Sequence, residues 1–201
     1  MNLRVEPLDN VVRAAAFRLL LESGKPVGVD ELARSIGQEQ DRLRQVVQAL
    51  QQAGQLRGDG TGKVTGSGGL SVTPDRHEIE INSRRFWTWC AYDILGIFGA
   101  LGADGSARSV SPAGGRTYEL RFEKGRPRPT DAVLFRPDAS LAACCENVYE
   151  EWCPNSNLFA DESAALAWAE DRGLAGQVLT LAEASDMAAA EWRSFTERLS
   201  V

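Results

Sequence analysis

Between Phe86 and Leu101 the chain is almost entirely apolar, with Asp93 as the single charge. The run is too short and too interrupted to span a bilayer, which takes roughly 20 apolar residues. It is also too apolar for a surface, so it must sit at the centre of a core that the rest of a 201-residue chain covers. The pattern predicts a buried helix from about Arg84 to Leu101. On such a helix Cys90 and Asp93 are i and i+3 and project from one face, one turn apart. An acid in these surroundings is costly unless neutral or paired. Desolvation should raise its pKa, which makes Asp93 a proton carrier near neutral pH. The plain alternative is that Asp93 caps or bonds a backbone group at a local helix end.

Around this centre the chain divides in two. Residues 1–54 read as helical. Val12, Ala15, Ala16, Leu19 and Leu20 form the stripe of an amphipathic helix closed by Gly24. A second helix is expected from Asp30 to Ile36, stopped by Gly37, and a third from Glu39 to Ala53, burying Leu43, Val46, Val47 and Leu50. The glycine-rich stretch from Gln55 to Gly69 follows as strand, hairpin and strand. Together these make a winged-helix-like unit over 1–68. From residue 69 onward, half-buried strands are predicted at Leu70–Val72, Glu78–Ile81, Thr117–Glu123, Ala132–Phe135 and Val178–Leu181. Gly102–Gly115 reads as loop, Cys144–Trp152 as a short helix, and Ser163–Arg172 and Ala184–Leu199 as longer ones. Helices and strands mix without a βαβ rhythm. The class is α+β, with the N-terminal helical unit followed over 69–201 by a mixed, mainly antiparallel sheet domain with packed helices.

Charge narrows the partners. The net charge is −6, an acidic balance that argues against a protein built to grip nucleic acid or an anionic membrane. The third helix exposes Gln40, Arg42, Arg44, Gln45, Gln48 and Gln51, which have the chemistry to read base edges. Yet residues 1–70 carry nine basic and eight acidic side chains, without the basic surplus of a DNA reader. A structural role for this unit is the expectation. The opening residues, Met1 to Glu6, lack the basic start and apolar stretch of a secretion signal, so the expected compartment is the cytoplasm.

There the four cysteines, Cys90, Cys144, Cys145 and Cys153, are expected to be thiols, metal ligands or catalysts rather than disulfides. Their spacing lacks the paired ligands of a structural zinc site, and the lone His77 is distant in sequence. Taken one at a time, each is most simply a buried small apolar residue.

The segment Arg85-Phe86-Trp87-Thr88-Trp89-Cys90-Ala91-Tyr92-Asp93-Ile94-Leu95 resembles the signature of the bacterial organomercurial (alkylmercury) lyases. The lead-in Gly69–Pro74 and His77–Ile81 are similar to that family's strands. Trp152-Cys153-Pro154-Asn155-Ser156-Asn157-Leu158-Phe159, followed by Ala165–Ala169, resembles its second motif. The likeness runs from about residue 65 to 190, and family members also begin with a winged-helix-like unit.

The resemblance implies cleavage of carbon–mercury bonds by two cysteines and one aspartate, matching Cys90, Cys153 and Asp93. The chemistry is coherent on its own terms. A soft metal favours thiolates; two thiolates labilise its bond to carbon; and an acid then protonates that carbon. Expected products are a hydrocarbon and Hg(II) held by Cys90 and Cys153. No resident cofactor is implied, external thiols would support turnover, and the Hg(II) acceptor would be a mercuric reductase or low-molecular-weight thiols. Departures from the family are Pro154 after Cys153 where a second cysteine is common, Asn155 and Asn157 in place of histidines, and no cysteine over Ser109–Pro112. Cys144 and Cys145 stand upstream as auxiliary thiols, suited to metal uptake or transfer. The competing reading is a non-enzymatic soft-metal binder or a metal-sensing winged-helix regulator. The near-neutral third helix weighs against the regulator.

Overall fold

The computed structural model describes residues 7–196. The first six residues, read above for a leader, and the last three of the final predicted helix lie outside the described residues.

In chain order the elements are α1 (Leu8–Ser23), β1 (Val27–Gly28), α2 (Val29–Ile36), α3 (Gln40–Gln52), β2 (Leu56–Gly58), β3 (Lys63–Ser67), β4 (Leu70–Ser71), β5 (His77–Ile81), β6 (Arg84–Thr88) and α4 (Ala91–Leu101). Then come β7 (Gly105–Val110), β8 (Thr117–Glu123), β9 (Arg126–Pro127), β10 (Val133–Pro137), α5 (Ala139–Cys144), β11 (Asn157–Phe159), α6 (Glu162–Glu170), β12 (Gly176–Thr180) and α7 (Leu181–Thr196). A π-turn at Val148–Trp152 and a 3-10 turn at Cys153–Asn155 separate α5 from β11. The result is a mixed α+β fold with antiparallel sheets.

Among the described residues nine strands form one sheet, in the order β1-β3-β4-β6-β5-β7-β8-β9 with β2 also on β3. Strand β3 pairs with β2 along one edge and with β1 and β4 along the other, so the sheet passes through residue 68 without a break. A second sheet, β11-β10-β12, is covered by α6, whose Trp168 packs against Phe135 and Phe159. Strand β8 alternates cleanly, turning Tyr118, Leu120 and Phe122 inward, and Phe122 stacks on Phe98 of α4 at 3.9 Å. No helix among the described residues is long and apolar enough to cross a membrane.

The apolar run is central, as its composition demands, but it is not one helix. Arg84–Thr88 forms β6, paired with β5 from Arg84↔Ile81 to Thr88↔His77, and the helix starts only at Ala91. Aromatic and β-branched residues favour strand, and periodicity alone does not separate a buried strand from a buried helix. The helix itself is wholly buried from Ala91 to Phe98 and lies against α7. Gly96 permits that approach, since a Cβ there would overlap the Trp192 indole.

Two further expectations are corrected. The predicted loop Gly102–Gly115 contains β7, whose inward residues are only Ala107 and Ser109. Inward groups this small leave no apolar alternation to read. The helix expected over Cys144–Trp152 is instead the end of α5 and, after a break, the π-turn.

Candidate functional site

Strand β6 gives way to α4 at Trp89-Cys90, and this junction fixes the chemistry of the site. Cys90 is not on the helix but is its N-cap, with extended backbone (φ −143°, ψ 170°). Its Sγ accepts the Asp93 N–H at 3.4 Å, while the Cys90 N–H donates to Asp93 Oδ2 at 2.8 Å. This is a capping box with a thiol in the place usually held by a hydroxyl. The two side chains therefore meet through the helix end rather than along a helix face.

Cys153 reaches the same point from the other motif. It opens the 3-10 turn, with Pro154 behind it, and the Ser156 carbonyl at the end of the turn accepts the Ala91 N–H at 3.1 Å. One otherwise unpaired donor of the α4 N-terminus thus anchors the turn that carries Cys153. Cys90 Sγ, Cys153 Sγ and an Asp93 carboxylate oxygen all lie within 4.8 Å of one another. Exposures are 0%, 2% and 4% for Cys90, Cys153 and Asp93.

Burial sets the electrostatics. Desolvation holds Asp93 at a pKa of about 7, against the pull of its hydrogen bonds with Cys90. The Cys90 thiol is pushed well up by burial, then by its hydrogen bond with Cys153 and the adjacent Asp93 charge. Two thiols and a carboxyl so placed resist carrying more than one negative charge between them. A soft cation would remove that penalty by compensating the thiolates.

A cavity of about 350 Å³ opens onto Asp93 and Cys153. Its walls are aromatic, from Trp89, Tyr92, Trp152, Trp192 and Phe195, with Arg136 and Glu191 as an ion pair at 3.1 Å. Tyr92 donates to the same Glu191 oxygen at 3.1 Å.

Several supporting residues carried no signal in the sequence. Arg76 donates to the Trp89 carbonyl at 3.1 Å and to the Tyr149 carbonyl at 3.2 Å, tying the end of β6 to the π-turn that leads to Cys153. The Tyr149 hydroxyl donates to Asp75, and its ring lies under the Arg57 and Arg76 guanidinium groups. Gly69, at φ +82°, leaves the space Asp93 occupies, since a Cβ there would overlap the carboxylate. Cys144 is exposed and Cys145 half-buried, and neither belongs to the buried trio. His77 is buried in the sheet, with Nδ1 bonded to Ser109 Oγ at 2.8 Å.

The family model of the alkylmercury lyases matches residues 70–193. An alkylmercury lyase of Streptomyces lividans is 30% identical over 185 residues, covering 90% of this chain and 80% of that protein. One from Pseudomonas putida is 30% identical over 154 residues, covering 74% and 68%. A crystal structure of the mercury-bound form of MerB2 shares the fold, with a TM-score of 0.82, 24% identity and 98% of this chain matched to 95% of that one.

Proposed function

The chain belongs to the alkylmercury lyase family, and on that premise we propose that it splits the carbon–mercury bond of organomercury compounds by protonolysis. The observation that carries the reading is the buried trio, two thiols and a carboxyl within 4.8 Å.

Cys153 lines the cavity, so it is the thiol that an incoming R–Hg–X meets first. Mercury bonds its sulfur, and the thiol proton leaves with X. Cys90 follows. Its thiol is too basic to ionise alone, but bonding to mercury lowers that barrier and Asp93, at a pKa of about 7, accepts the proton. Asp93 then delivers it to the carbon as the carbon–mercury bond breaks. The hydrocarbon R–H departs, and Hg(II) stays on two sulfurs. Of the two thiol protons, one ends on X and one on R. Low-dielectric surroundings strengthen each of these interactions.

The reading needs no resident cofactor. Low-molecular-weight thiols would complete turnover by taking Hg(II), directly or on the way to a mercuric reductase, in a reducing cytoplasm. The N-terminal winged-helix-like unit, 1–68, would support the catalytic part, 69–201, rather than bind DNA. One observation favours the competing reading of a soft-metal binder without cleavage: Asp93 already has a structural task as the partner in the α4 cap.

The deciding experiment incubates the purified protein with phenylmercury and excess thiol and measures benzene in the headspace. Stoichiometric benzene is expected. Mercury retained without benzene would leave a binder. Cys90→Ser and Cys153→Ser should each abolish benzene release.

A further inference from the structure

One wall of the cavity is built by a single segment. Asp138 and Ala139 line it at the start, and Val148, Trp152 and Cys153 at the end. Midway stand Cys144 and Cys145, two thiols the reaction above does not use. Cys144 is the last residue of α5, exposed, with its thiol donating to the Leu141 carbonyl at 3.4 Å. Cys145 turns the chain out of the helix and is half-buried. The Glu151 carboxylate accepts the N–H groups of Glu146 at 3.0 Å and Asn147 at 2.7 Å, drawing the chain after the pair back onto the π-turn that ends at Cys153. Cys145 is near enough to Cys153 that charge there raises its pKa, after burial, Glu151 and Cys144. The thiols thus form a graded series, from Cys90 and Cys153 inside to half-buried Cys145 and exposed Cys144, and the outer pair is flanked by the exposed carboxylates of Glu146, next in the chain, and Glu151.

We propose that Cys145 and Cys144 form a second soft-metal site, a relay that takes Hg(II) from Cys153 and Cys90 and passes it to thiols in solution. The proposal rests on the reading given under Proposed function. Hg(II) held by two buried thiolates leaves by exchange, a new sulfur bonding before an old one departs. A solution thiol must enter an aromatic-walled cavity to do this, whereas a thiol on the segment that ends at Cys153 is tethered beside it. In each step Cys145 or Cys144 gives up its proton as its sulfur bonds mercury, and the departing Cys153 or Cys90 sulfur takes a proton. One mercury–sulfur bond forms and one breaks, with no change of oxidation state. The flanking carboxylates favour the cation on the outer pair.

The test uses the full chain loaded with one equivalent of inorganic Hg(II) and follows transfer to a chromogenic dithiol chelator. A tethered group acts at an effective concentration in the millimolar range, so against about 0.1 mM chelator the Cys144→Ser, Cys145→Ser double variant should release Hg(II) on the order of tenfold more slowly. The gap should close at about 10 mM chelator, where the solution thiol competes with the tethered one. Cys144→Ser alone, at an exposed position where folding is not at stake, should already slow release. Equal rates at low chelator would overturn the relay and leave the Cys90–Cys153 site standing. Loss of Hg(II) retention in the double variant, with retention intact in Cys90→Ser, would overturn both, because the holding site would then be the surface pair.

Discussion

Asp93 serves the helix end and the proposed reaction with the same carboxylate. Its Oδ2 accepts the Cys90 N–H, and burial keeps its proton on until about pH 7. Linkage gives this a sign. The folded pKa of about 7 lies above the ordinary 3.8, so the folded state binds the proton more tightly. Asp93's contribution to stability is then greatest in acid and is lost as pH rises from ~4 through ~7, a change on the order of a few kcal/mol. His77 works the other way: burial depresses it from 6.5 to about 4, so its contribution is lost as pH falls through that window. Thermal midpoints across this range should fall more steeply with rising pH in the wild type than in Asp93→Asn. Parallel curves would show that Asp93 does not titrate there. Gly69→Ala tests the same carboxylate from outside. A positive φ costs a non-glycine residue about 1–3 kcal/mol, and the new Cβ must displace Asp93, so both the thermal midpoint and the rate should drop. A variant with normal stability and rate would contradict the packing described. The acid's burial was readable from its apolar neighbours. Cys153 as the partner thiol came only through the family resemblance and not from the residues' own pattern, because its place depends on the α4 N-terminus holding a distant turn.

At the scale of elements, legibility followed how strongly each one alternates. Strand β8 and the amphipathic α1 and α3 declare themselves through large inward side chains at the right period. Strand β7 does not, because Ala107 and Ser109 are small. Strand β6 was concealed inside the apolar run, and with it the fact that Cys90 sits at a strand–helix junction. That junction matters, since an N-cap holds a thiol against the carboxyl of the third helical residue more firmly than a helix face would. The connection from this junction to the Cys153 turn runs through Arg76. Arg76→Ala removes two charge-assisted hydrogen bonds, each worth about 1.5–3 kcal/mol. It should lower the thermal midpoint, and it should weaken Hg(II) retention more than Tyr149→Phe, which spares both carbonyl contacts. Unchanged retention in Arg76→Ala would mean that the Ser156–Ala91 bond alone positions Cys153.

For the whole molecule, the core is continuous from Val12 to Ala188, and α1 supplies Phe17 against Phe195 while Arg13 lines the cavity. Removing residues 1–60 would strip β1 and β2 from the sheet and expose that core. The truncated chain should be insoluble or lack cooperative unfolding, and a well-folded, active 61–201 fragment would refute the supporting role. The aromatic cavity walls predict faster turnover of phenylmercury than of methylmercury at equal concentration, and a reversed order would show that the walls do not bind the organic group. In the proposed reaction a buried carboxyl beside two thiols hands a proton to carbon. Its most direct test is a single turnover of phenylmercury by the wild type and by Asp93→Asn, with benzene, retained Hg(II) and thermal midpoint read on the same samples. Asparagine keeps the capping oxygen but carries no titratable proton. The prediction is a folded variant that retains Hg(II) and releases benzene about 10²–10⁴-fold more slowly, the usual worth of a positioned acid. Wild-type benzene release from a folded Asp93→Asn protein would contradict it.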